Sequence, residues 1–235
     1  MTCTRCRRSH LSLRNVRMTE TAASKLAHDT HEEWEPDWIE GYFVAELRCR
    51  SRKCGEVHVV AGDHRVSGDY ENDEYNNRFI SEFRLRWASP PLPILDIPTR
   101  TPTSVSEAIT AATAIVWADP DSAANRLRVA VEDLLTSFKV ARWTSTKGKK
   151  RRLVSTHERI ERFRQIKPEA AEALMAVKWI GNDGSHNSGL SAEDVLEGIE
   201  LFGFALRLLF DESDRLRAKR IAEINRKKRS VRSPR

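Results

Sequence analysis

Four cysteines constrain this chain more than any other feature. They fall as two pairs, Cys3 and Cys6 in CTRC, then Cys49 and Cys54 in CRSRKC. Paired thiols in a reducing compartment point to a metal more than to disulfides. A tetrahedral Zn²⁺ takes two close thiolates from each of two turns, and such a closed site leaves no open position for a reacting water. Two residues between Cys3 and Cys6 suit one tight turn. Four between Cys49 and Cys54 make a looser one, and Gly55 relaxes the backbone after it. The competing reading is four reduced structural cysteines. His10, His28 and His31 are possible substitute ligands, each also explained as a surface residue. The CxxC is not read as a redox motif, because no thioredoxin-like βαβ pattern surrounds it.

Strand-like segments flank the second pair, YFVAELRC (42–49) before it and EVHVVAG (56–62) after it. A third, RFISEFRLRW (78–87), alternates so that Phe79, Ser81, Phe83, Leu85 and Trp87 share one face. Together they predict a small zinc-ribbon-like β module. Pro90, Pro91, Pro93 and Pro98 then break regular structure and read as a connector. The first unit is therefore placed at residues 1–99.

The remainder reads as five helices. SVSE (Ser104 to Glu107) predicts a capping box opening a helix to about Ala118. Asp119 and Pro120 start a second, with Leu127, Val131, Leu134, Leu135 and Phe138 on one face. STHE (Ser155 to Glu158) caps a third through Ile166. Pro168 begins a fourth, with Ala171, Leu174, Val177 and Trp179 or Ile180 inward. Ser191 begins a fifth, striped by Val195, Ile199, Phe202, Leu206 and Leu209. Short connections favour an up-and-down bundle over residues 100–214. The fold class is α+β, a β module followed by an all-α bundle.

The formal net charge is +6, unevenly spread. Residues 215–235 hold ten Lys/Arg against Glu223 alone, a charge of +9, which leaves −3 for the rest. Arg226, Lys227, Lys228 and Arg229 are the densest part of this tail. It reads as a grip on nucleic acid or another polyanion, or as a solubilising helix end. No apolar run approaches the ~18–20 residues of a membrane span, and the N-terminus has no apolar signal core, so a cytoplasmic location with no membrane partner is expected. The chain carries no Gly-rich phosphate loop, HExxH, GxSxG or paired-carboxylate arrangement, which excludes the common hydrolase and nucleotide-binding signatures.

One stretch stands apart. KWIGNDGSHN (178–187) ends the fourth helix. Gly181 and Asn182 read as helix stoppers and Gly184 as a left-handed turn, with His186 capping within it. The combination of NRLRVAVEDLL (125–135) with this segment resembles the family called domain of unknown function 4145. Its pattern places Arg128 and Glu132 one turn apart on a helix, then Lys178, Gly181, Asn182 and His186. That family is similar to the HEPN (higher eukaryotes and prokaryotes nucleotide-binding) superfamily of helical bundles, many of them ribonucleases of toxin–antitoxin, restriction and antiphage systems. The resemblance implies a HEPN-like bundle, a homodimer, RNA as the first nucleic-acid partner, and a partner protein of a defence system. It implies metal-independent chemistry, with an Arg stabilising phosphorane charge and a His moving protons. Here Asn182 and His186 match, but Gly181 stands where the Arg belongs, and Lys178 offers only a point charge.

The expectation is therefore a non-catalytic nucleic-acid-binding or regulatory protein. The alternatives are a metal-independent endoribonuclease using His186, Asn182 and Lys178, and a dimerising scaffold. Arg128 and Glu132 either pair with each other or, as the resemblance implies, buttress the Asn182–His186 turn. Trp179 is read as core, with base stacking as the alternative.

Overall fold

The computed structural model describes residues 3, 5–6, 8–68, 79–92, 94–145, 151–183, 189–211 and 220–226. It is mixed α+β. Strands β1 (Leu11–Glu20), β2 (Glu40–Cys49), β3 (Val57–Gly68) and β4 (Phe79–Ser89) form an antiparallel meander in the order β1-β2-β3-β4. Helix α1 (Ala22–Thr30) and a single 3₁₀ turn, Pro36–Trp38, fill the β1–β2 connection. Thr21 caps α1 by accepting from the Ser24 N–H at 3.1 Å.

One face of the sheet is closed. Phe43 and Ala45 of β2, Val60 of β3 and Ala88 of β4 meet Leu92 of the connector and, from the helical region, Trp117. Alternation predicts Trp87 on the same face as Phe83 and Leu85, and the structure places it on the other. The ladder pairs Ala61 with Trp87 but Gly62 with Leu85, so Arg86 is an extra residue and the bulge inverts the alternation. A similar bulge hides β1 from a periodicity reading. Arg14 faces Glu46 and Arg17 faces Val44, with Asn15 and Val16 both opposite Ala45. Asn15 takes a left-handed backbone, φ 52°. Leu13 and Met18 consequently point the same way although their spacing is odd.

The connector is anchored at both ends. His58 Nδ1 donates to the Pro90 carbonyl at 2.9 Å, and Leu95 lies against Gly203, where a Cβ would collide with it. The helical region follows as α2 (Thr103–Ile115), α3 (Pro120–Ser137), α4 (Thr156–Arg164), α5 (Pro168–Asp183) and α6 (Ala192–Phe210), with a two-residue ribbon of β5 (Trp143–Thr144) and β6 (Arg152–Leu153) between α3 and α4. These five helices match the five expected. Ser104 is not a cap, however. The helix starts one residue earlier, after Pro102, and Ser106 Oγ donates to the Thr103 carbonyl at 2.9 Å. Asp119, Ser155 and Ser191 do cap α3, α4 and α6, the last two as capping boxes with Glu158 and Asp194. Val105, Leu127, Leu134, Ile160, Phe163, Leu174, Ile199 and Phe202 lie at the centre of one shared core. No helix among the described residues is long and apolar enough to cross a membrane. Where sheet and bundle meet, a cleft of about 950 Å³ is lined by His64, Phe83, Trp117 and Ser191.

Candidate nucleic-acid interface and cysteine cluster

The four cysteines converge at one end of the sheet. All four sulfurs lie within 4.8 Å of one another. Cys3 Sγ is 3.7 Å from Cys54 Sγ, and Cys6 Sγ is 3.7 Å from Cys49 Sγ. A disulfide needs ~2.05 Å. A tetrahedron of thiolates about 2.3 Å from a central ion has S···S edges of about 3.8 Å. The geometry fits a metal centre and not a pair of bridges. Two turns build it, as the spacing predicts. Cys3 N–H donates to the Ser9 carbonyl at 2.7 Å, and Cys54 N–H to the Ser51 carbonyl at 3.0 Å. Gly55 closes the second turn at φ 68°, a conformation that L side chains rarely adopt. No histidine joins the group among the described residues. His28 and His31 stack instead on Trp34 and Trp38, with ring centroids 4.2 and 4.6 Å apart. The Arg8 backbone N–H holds the Cys6 thiol down at about 7. Burial pushes Cys49 up to about 12, so an ion that takes all four must displace protons.

The second constellation lies where α5 crosses α3. Helix α5 does not stop at Gly181 and Asn182. It continues to Asp183, and the glycine has a packing role. A Cβ at Gly181 would stand 3.0 Å from Arg128 Cγ and 3.2 Å from its Cδ. The aliphatic stem of Arg128 therefore runs over the space that a side chain at Gly181 would fill. Lys178, one turn earlier on α5, lies close enough for Arg128 to act on its charge. Its ammonium is held below the ordinary lysine range, first by burial and second by repulsion from Arg128. Lys178 Nζ sits 3.3 Å from the centroid of the Trp179 ring.

Trp179 is not core. It is 53% exposed, while Ile180 turns inward toward Gly198. From α4, the exposed His157 brings its ring centroid to 6.1 Å from that of Trp179. His157 was not singled out from sequence, because nothing local marks it; only the α4–α5 packing brings it here.

Arg128 and Glu132 do not pair with each other. Four residues apart, their side chains leave the helix about 40° apart at 100° per residue. Glu132 accepts from Thr156 Oγ1 at 2.8 Å and pairs with Arg142 at 3.6 Å. Arg128 lies against Gly181, and Glu132 ties α3 to the start of α4. Among the described residues neither Arg128 nor Lys178 makes a salt bridge, and Arg128 Nε is buried without an acceptor. His186 lies outside the described residues, as do Lys227, Lys228 and Arg229. Arg226 lies in a helical stretch over 220–226 and is exposed.

Two family models match the two regions separately. A family described as "Domain of unknown function (DUF4145)" matches residues 110–231, spanning α3 to α6 and most of the basic tail. A second, "Domain of unknown function (DUF8608)", matches residues 1–87, which hold the cysteine cluster and most of the sheet. No curated protein matches, and no solved structure matches.

Proposed function

Because this chain belongs to the family described as Domain of unknown function (DUF4145), whose description states no activity, we propose a function from the geometry: a nucleic-acid-binding protein. It holds phosphates at Arg128 and Lys178 and is braced by a structural Zn²⁺ on Cys3, Cys6, Cys49 and Cys54. The observation that carries this is that Arg128 and Lys178 lie close enough to act on each other's charge, with no salt bridge to either among the described residues. Arg128 raises the cost of charging Lys178, and an anion held beside the two cations relieves that repulsion. Trp179, more than half exposed beside Lys178, offers a stacking surface for a base. RNA is the first ligand to test, in the setting of a homodimeric HEPN-like defence or toxin–antitoxin protein.

The test is fluorescence anisotropy with single-stranded RNA across a salt series. Lys178→Ala and Arg128→Ala should each weaken binding and reduce the salt slope by about one. Deleting residues 215–235 should reduce it further. Slopes that stay equal in both point variants would overturn the assignment. Gly181→Ala sharpens it. The new methyl displaces Arg128, so RNA affinity should fall although helix propensity favours alanine by about 1 kcal/mol.

A metal-independent endoribonuclease is the second reading, and one contact favours it. Arg128 of α3 packs its side chain against Gly181, the position at which the Arg is missing. With His186 as the proton-transfer group, cleavage would need no divalent metal. RNA cleaved in chelator by wild type, and spared by His186→Ala and Arg128→Ala, supports this reading. Intact RNA with wild type leaves the binding reading.

A further inference from the structure

The solvent face of the sheet carries a second pattern that neither the cysteine cluster nor the α3–α5 patch uses. On that face the ladder sets Val44 of β2 beside Ala61 of β3, and Ala61 beside Trp87 of β4. Tyr42 stands two residues from Val44, and Val59 two residues from Ala61. Tyr42 is 59% exposed, Val44 50% and Trp87 49%. These side chains form one contiguous apolar strip with an aromatic ring at each end. At about 4.8 Å between strands and 3.4 Å per residue, the two rings stand roughly 12 Å apart across the small Ala61.

Arginines surround this strip. Arg48 pairs with Glu46 at 2.8 Å, Arg65 with Glu82, and Arg86 with Asp63 at 2.7 Å. Glu46, Glu82 and Asp63 are thereby engaged, while the exposed Glu40, two residues from Tyr42 on the same face, makes no salt bridge among the described residues. Arg14, Arg17 and Arg84 are exposed on the same face, and among the described residues none of them makes a salt bridge. With Glu40 counted, the strip is rimmed by six arginines, residues 14, 17, 48, 65, 84 and 86, against four carboxylates, Glu40, Glu46, Asp63 and Glu82, an excess of two positive charges. An apolar protein partner would have to desolvate them without return, whereas a strand of phosphates with unstacked bases satisfies both parts of the pattern.

We propose that this sheet face is a single-stranded nucleic-acid platform, with bases stacking on Tyr42 and Trp87 and phosphates lying on Arg14, Arg17 and Arg84. It is separate from the helical patch and stands whether or not that patch binds. The Arg86 bulge builds it, because the bulge turns Trp87 outward.

The experiment uses the full zinc-loaded chain carrying Arg128→Ala and Lys178→Ala, so that the helical patch is silent. Anisotropy with oligouridylate should lose about tenfold in affinity for Trp87→Ala and again for Tyr42→Ala, the range of a lost base stack. Trp87→Phe should retain binding, and ultraviolet crosslinking should label the peptide that begins at Trp87. The Arg14/Arg17/Arg84→Gln triple should weaken binding and flatten its salt dependence. Far-UV circular dichroism and bound zinc check the fold, and the exposure of both rings makes unfolding unexpected. Unchanged affinity in both aromatic variants overturns the proposal. So does equal competition by polyglutamate, which would make the occupant an acidic polypeptide. A shift of the oligomeric state in Trp87→Ala would assign the face to a second copy of the chain instead.

Discussion

The bundle and the sheet are held together by different means. In the bundle, every helix from α2 to α6 contributes fully buried aliphatic or aromatic side chains to one continuous core, from Val105 and Ile109 through Leu134, Phe163 and Leu174 to Phe202 and Leu206. Under the sheet the apolar core is Phe43, Ala45, Val60, Ala88 and Leu92. The cysteine end adds only Leu11 beside buried Cys3 and Cys49. A small core needs supplementing, and an ion held by the four cysteines would supply it at the place where apolar packing thins out. The difference predicts that the two regions fail separately and for different reasons.

The sharpest way to break this comparison is to disrupt the four-cysteine site proposed to hold zinc. Structural zinc sites of four thiolates contribute on the order of 10 kcal/mol to folding, more than a core of this size supplies. Chelator, or Cys49→Ser, should open β1 and the cysteine turns to protease while α2 to α6 remain helical by circular dichroism. A sheet that resists protease after chelation would mean that Leu11, Leu47 and the inner face suffice alone.

A smaller effect is expected from a charge inside the bundle. Arg159 is only 2% exposed. Its guanidinium donates to the Thr136 hydroxyl at 2.8 Å, the Val140 carbonyl at 3.0 Å and the Glu132 carbonyl at 3.3 Å. It thereby binds α4 to the end of α3 and the turn beyond it. Burial pulls its pKa down, and Glu132 partly offsets this. Arg159→Ala leaves those acceptors unpaired, at a cost of about 3 kcal/mol, read as a lower melting temperature of the bundle with the zinc site intact. Arg159→Met keeps the stem and should recover part of the loss. Wild-type stability in Arg159→Met would show that the aliphatic stem, and not the guanidinium, carries the contact.

The same contrast explains what could be read from sequence. Helices α3 to α6 were legible because their caps and 3.6-residue stripes are local signals that the packing respects. The cysteine cluster was legible because metal-ligand spacing is a local constraint as well. The bulges at Asn15–Val16 and Arg86 were not. One inserted residue inverts a period of two, so alternation does not reveal β1 and sets Trp87 on the wrong face. Gly181 misled for the opposite reason: a glycine near a helix end reads as a stop, but here it makes room for a side chain from another helix. That contact, the outward turn of Trp179 and the arrival of His157 depend on how α3, α4 and α5 pack, which periodicity does not encode.

The smallest effect separates the regions by pH. Arg152, bidentate on Glu158 at 2.7 and 2.9 Å, holds that carboxyl at about 2, aided by the Ser155 N–H. A depressed carboxylate stabilises the fold above its unfolded value near 4.5 and loses that contribution as pH falls toward 2. Glu158→Gln should therefore lower bundle stability at neutral pH and flatten its acid dependence, with wild type and variant converging near pH 2. Ser155→Ala, which removes the cap itself, should cost about 1 kcal/mol. The thiolates respond sooner, because each ligand that gains a proton leaves the ion. On acidification the sheet should release its metal and open first, and the bundle should follow in a second transition nearer pH 2. A single transition seen by both metal release and circular dichroism would mean that Trp117 and Leu92 couple the two regions more tightly than their separate cores suggest.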